Sequence, residues 1–172
     1  MNARSDRRLT AAMQTPARAV PASSSVVNIV VRVAGIVPVR LDLTHAGTAE
    51  QQLGLSLGTV LVYLCSGITA RAVAEGWGQA SALAQPLSPA VVGRRVLPVG
   101  PSVAAAMVQL AGVPKVTTSF APARAGGTVP AILRVQVGPV TWEVCDATAY
   151  ACLLRGWRQA ARLLGDNPTD DE

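Results

Sequence analysis

Apolar and polar residues alternate over Val27-Asn28-Ile29-Val30-Val31-Arg32-Val33 and again over Val39-Arg40-Leu41-Asp42-Leu43. A period of two lays one face of a strand on a core and turns the other to solvent. The two stretches are expected to pair as a hairpin with Arg32, Arg40 and Asp42 facing outward. The alternation returns in Leu53, Leu55 and Leu57, then in Val60, Val62 and Leu64, across Gly58-Thr59. It returns once more in Leu133, Val135 and Val137, then in Val140, Trp142 and Val144, across Gly138-Pro139. A two-residue turn opening on glycine between alternating runs is a hairpin signal.

After each hairpin the pattern lengthens to that of a helix, from about Ser66 to Leu83 and from about Asp146 to Leu164. Ser66 and Asp146 are both suited to accept an orphan backbone N–H at the N-cap, and Gly165 suits a C-terminal stop. Val103 to Leu110 reads two ways, since Ala104-Ala105-Ala106 favours helix. Its correspondence with the strand Val26 to Val33 decides for strand.

That correspondence is part of an internal repeat. Gly58, Val60, Cys65, Gly76, Trp77, Gln79, Ala80 and Leu83 recur without a gap as Gly138, Val140, Cys145, Gly156, Trp157, Gln159, Ala160 and Leu163. Upstream, Arg18, Pro21, Ser25, Val26, Ala34 and Gly35 match Arg95, Pro98, Ser102, Val103, Ala111 and Gly112. A duplicated unit that buries its apolar face against its twin predicts one pseudo-twofold α+β domain, each copy antiparallel strands followed by a helix. The copies are placed at 18–84 and 95–164, joined by a proline-rich linker over 85–94.

Glycine within a helix costs about 1 kcal/mol relative to alanine, so Gly76 and Gly156 need a reason. Ala72, Gly76 and Ala80 stand one turn apart, as do Cys152, Gly156 and Ala160. These small-residue seams predict either that the two helices cross at their glycines or that each lies closely on the sheet. Trp77 and Trp157 are expected to fill the flanks as core residues.

Of 172 residues, 50% are hydrophobic and 15% charged, enough for one well-buried domain. Lys115 is the only lysine, and arginine with abundant Ala, Val, Gly and Pro is the composition that high-GC bacterial genomes encode. Segment 1–17 is expected to be a disordered basic tail and 165–172 a disordered acidic one. The apolar run Leu9 to Met13 is short for a secretory signal. Leu53 to Ala70 is uncharged and long enough to span a bilayer, but its counterpart carries Arg134, Gln136, Glu143 and Asp146. A cytoplasmic protein without a membrane partner is therefore expected.

Chemistry is sparse. Three cysteines and one histidine offer no Cys-x-x-Cys pair and no zinc spacing, and no phosphate loop is present, so neither a metal nor a cofactor is expected. Cys65 and Cys145 occupy equivalent strand-to-helix junctions. His45 lies in Thr44-His45-Ala46-Gly47, near Asp42, with no nucleophile motif beside it. Glu75, Glu143 and Asp146 show no pairing partner along the chain. Arg155, Arg158 and Arg162 fall within an arc of roughly 60°, opposite Leu153, Trp157, Ala160 and Leu164. The matching positions of the first helix are Glu75, Gly78 and Ala82, so this basic ridge belongs to one copy.

Three functions are ordered by these features. A non-enzymatic interaction or regulatory module, binding a protein through a sheet edge or the helix pair, comes first. A basic DNA-binding protein using Arg155, Arg158, Arg162, Arg94, Arg95 and the N-terminal arginines, largely insensitive to sequence, comes second. An enzyme centred on His45 comes third.

Overall fold

The structure is a computed structural model that describes residues 28–90, 104–124, 126 and 130–165. It is α+β. The chain runs β1 (Ile29–Val33), β2 (Val39–Thr44), β3 (Gln52–Leu57), β4 (Val60–Leu64), α1 (Gly67–Gln79) and α2 (Ser81–Ala84). The second half runs β5 (Ala106–Leu110), β6 (Val116–Ala121), β7 (Ile132–Val137), β8 (Val140–Val144) and α3 (Ala147–Gly165).

Eight strands form two four-stranded sheets, ordered β1-β8-β7-β6 and β2-β3-β4-β5. Both central hairpins form as expected, with Leu57 opposite Val60 and Val137 opposite Val140. Gly58 and Gly138 turn at φ +63° and +55°, while Thr59 and Pro139 keep negative φ. That is the type II′ geometry whose twist matches the flanking strands.

The expected β1–β2 hairpin does not exist. β1 leaves for the other sheet and pairs in parallel with β8, Val31 beside Trp142, whereas β2 pairs with β3. The reciprocal exchange places β5 in parallel beside β4, Val62 opposite Val108. Each sheet is therefore mixed, three consecutive antiparallel strands of one half plus the first strand of the other. A five-residue connection with Gly35 at φ +71° would also permit a hairpin, so the exchange is decided by which strands meet in the core and not by the turn. The exchanged strand is sealed at both ends, where Ile29 N–H donates to the Pro139 carbonyl (2.7 Å) and Cys145 N–H to that of Val33 (3.0 Å).

Both expected N-caps are present. Ser66 Oγ accepts from Ile68 N–H at 3.2 Å, and Asp146 Oδ1 accepts from Ala149 N–H at 2.8 Å. Asp146 also ties the halves together, since its Oδ2 accepts from Gly35 N–H at 2.7 Å. The first helix stops at Gln79 rather than continuing to Leu83, and the chain resumes as the short α2. Gly165, expected just beyond the last helix, is its final residue. Of the stretch Val103 to Leu110, Ala106–Leu110 is strand, and Val103 lies outside the described residues.

Inward residues of both sheets and one face of each long helix form a continuous core in which Leu53, Leu55, Leu57, Leu133 and Val135 are fully buried. The long helices pack antiparallel, for Tyr150 Oη donates to the Trp77 carbonyl at 2.6 Å while the Arg71 guanidinium reaches Gly165. Among the described residues no helix is long and apolar enough to cross a membrane. The basic tail, the acidic tail beyond Gly165, and the last four residues of the linker, 91–94, together with Arg95, lie outside the described residues.

Candidate functional site

The seams explain the helix glycines. A Cβ on Gly76 would stand 2.6 Å from Val116 Cβ on β6, and one on Gly156 would stand 3.0 Å from Leu57 Cδ2 and Val39 Cγ1 on β3 and β2. Of the two arrangements allowed by the spacing, each helix lying closely on a sheet is the one adopted; the glycines do not mark the helix crossing. Ala80, Cys152 and Ala160 are buried along these stripes, and Ala72 is half-buried. Trp77 packs edge-on to Trp142, ring centroids 6.5 Å apart, and against Tyr150 at 6.0 Å. Trp77 and Trp157 are both fully buried helical residues.

The outer faces of the two sheets carry different chemistry in matching rows. On one, β1, β8 and β7 bring Arg32, Glu143 and Arg134 side by side. Arg32 Nε donates to Glu143 Oε2 at 2.8 Å and Arg134 Nε to Oε1 at 2.9 Å. Glu143, for which the sequence suggested no partner, is thus doubly paired. The Arg134 contact was legible, because a hairpin turning at Gly138-Pro139 sets residue 134 opposite 143; the Arg32 contact required the strand exchange. On the other sheet the row reads Gln109, Tyr63, Gly54 and Asp42. Leu61 and Tyr63 fold over Gly54 there, beside Arg40, Asp42, Gln52 and Ser56, to form a shallow groove of about 550 Å³.

Hydrogen bonds from Arg32 first, and Arg134 second, hold the Glu143 carboxyl below the usual carboxylate range. A carboxyl with a lowered native pKa contributes stability above its unfolded value near 4.5 and loses it as pH falls through the native value. The urea midpoint should therefore hold from neutral pH to about 5 and fall below it. Glu143→Gln should lower the midpoint at neutral pH and flatten the acid-side decline, and equal declines in both proteins would refute the pairing.

Arg155, Arg158 and Arg162 are exposed on α3. Arg158 reaches toward Gly78 of α1, and Arg155 lines a groove with Ile36, Val39, Cys152 and Gln159. Ion pairs among the described residues involve Glu143 with Arg32 and Arg134. His45 sits exposed after β2 at φ +53°, its backbone carbonyl accepting from Thr48 Oγ1 at 2.8 Å. Among the described residues no carboxylate hydrogen-bonds its imidazole and no cluster of His, Cys, Asp and Glu suits a metal ion. Cys65 is exposed, and Cys145 and Cys152 are buried.

The sheet edges remain, namely β1 and β6 on one sheet and β2 and β5 on the other. β6 has the sequence Val116-Thr117-Thr118-Ser119-Phe120-Ala121, pairs with β7 in unbroken register, and contains no charge, proline or bulge. It is the longest uncharged edge among the described strands. Thr118 points to the core side yet is exposed, between half-buried Val116 and Phe120. No family model, curated protein or solved structure matches the chain.

Proposed function

We propose that the protein is a non-enzymatic interaction module that takes an extended segment of a protein partner as a fifth strand on β6. The observation that carries this reading is the edge itself. Native sheets blunt their edges with charge, proline or a bulge, and β6 has none of these. Backbone groups on the side of β6 where no described strand lies would supply affinity, and Val116, Thr118 and Phe120 would select a partner strand with apolar residues at alternate positions. The module is further proposed to be a duplication with pseudo-twofold packing. Support comes from the identical strand order of the halves, the reciprocal exchange of β1 and β5, and the matched glycine and tryptophan positions.

The test is to purify partners with the intact chain and with Thr118→Lys, then map amide protection. Partner binding should protect residues 116–121 in the parent, and the lysine should weaken it about tenfold or more without altering the unfolding midpoint. A second reading, electrostatic binding of duplex DNA, is favoured by Arg155, Arg158 and Arg162, which are exposed and form no ion pair among the described residues. Salt-sensitive DNA binding lost in Arg158→Ala, with β6 unprotected, would put that reading first.

A further inference from the structure

The opposite sheet has an edge of different character. β2 bears Val39, Leu41 and Leu43 on its core side and Arg40 and Asp42 on its outer side. No described strand lies beyond it. The three core-side residues are only half-buried, whereas Leu53, Leu55 and Leu57 on neighbouring β3 are fully buried, so the core is left unfinished at this rim. Arg40 and Asp42 are exposed, and neither forms an ion pair among the described residues.

We propose that β2 pairs antiparallel with β2 of a second copy of this chain, joining two four-stranded sheets into one of eight strands. A twofold axis normal to the sheet keeps core faces on one side only if Leu41 pairs with itself or the strands slip by whole pleats. Centred on Leu41, the pairing sets Val39 against the partner's Leu43 and Arg40 against the partner's Asp42, twice over. Directly opposed residues in an antiparallel pair have Cβ atoms about 5 Å apart, within ion-pair reach. Slipping one way sets Arg40 against its own copy, and slipping the other way does the same to Asp42. The charges therefore select one register and penalise its neighbours. None of the other edges does this: centred self-pairing opposes Val30 with Arg32, Met107 with Gln109, or Thr117 with Ser119. The same contact would bring the partner's Leu43 to the mouth of the groove lined by Ile36, Val39, Cys152, Arg155 and Gln159.

Sedimentation of the full chain over a concentration series tests the pairing. The parent should dimerise, and Arg40→Asp or Asp42→Arg should each weaken the dimer about tenfold or more, with unchanged circular dichroism, by opposing like charges. Mixing the two variants should restore a heterodimer, because each supplies the charges the other lacks; so should the double exchange Arg40→Asp/Asp42→Arg within one chain. A parent that is monomeric at about 1 mM, or a dimer indifferent to all of these changes, overturns the proposal. Either result leaves the β6 reading untouched, since that edge belongs to the other sheet.

Discussion

Gly76→Ala should destabilise the protein by about 2–3 kcal/mol, although alanine is the better helix former by about 1 kcal/mol. The added methyl would meet Val116 Cβ, Cγ1 and Cγ2 at 2.6–2.7 Å. Cβ is bonded to the strand backbone, so α1 or β6 itself has to move. Truncating Val116 to alanine leaves that atom in place and should rescue little; Val116→Gly removes it and should show a favourable coupling of about 1 kcal/mol or more in a double-mutant cycle. Gly156→Ala is the control, because its nearest neighbours are the far ends of Leu57 and Val39 at 3.0 Å, which can turn aside. Its cost should stay within about 1 kcal/mol. Urea unfolding of the variants measures all of these, and a Gly76→Ala protein as stable as the parent would show that α1 is not seated on β6.

Trp77→Ala should cost about 3–5 kcal/mol, the largest effect expected of any single change discussed. The indole is fully buried where α1, α3 and β8 meet, and it is in ring contact with both Trp142 and Tyr150. Its removal leaves a cavity that three elements would have to close together, and close packing allows little such collapse. Trp77→Phe should cost far less. Among the described residues the indole N–H of Trp77 has no hydrogen-bond partner, so phenylalanine gives up volume but no polar contact. A phenylalanine variant as unstable as the alanine one would mean that the N–H is paired in solution. Tyr150→Phe reports separately on the helix pair, because it deletes the hydrogen bond to the Trp77 carbonyl while keeping the ring.

Much of this arrangement was written in short-range pattern. Alternation of apolar residues identified the buried face of every strand it covered, and Gly58-Thr59 and Gly138-Pro139 marked turns that demand positive φ at their first position. Those turns also set Arg134 against Glu143. Ser66 and Asp146 marked where the helices begin, and the one-turn spacing of Ala72, Gly76 and Ala80 showed that something approaches closely. Each of these signals lies within a few residues of its consequence, because pleat, turn and cap are set by the backbone of neighbouring residues.

Partner choice was not written there. Alternation says that Val31 faces the core but not that it lies beside Trp142 from a strand more than a hundred residues away, and the same pattern is equally consistent with the hairpin that fails to form. The strand exchange, the arginine on each side of Glu143, the seating of Gly76 on Val116 and the end of α1 at Gln79 all depend on which surfaces meet once the core closes. Tertiary structure decided them, because a strand's edge hydrogen bonds and a helix's small-residue stripe accept any partner of suitable shape, and only simultaneous burial of both halves in one core selects among them.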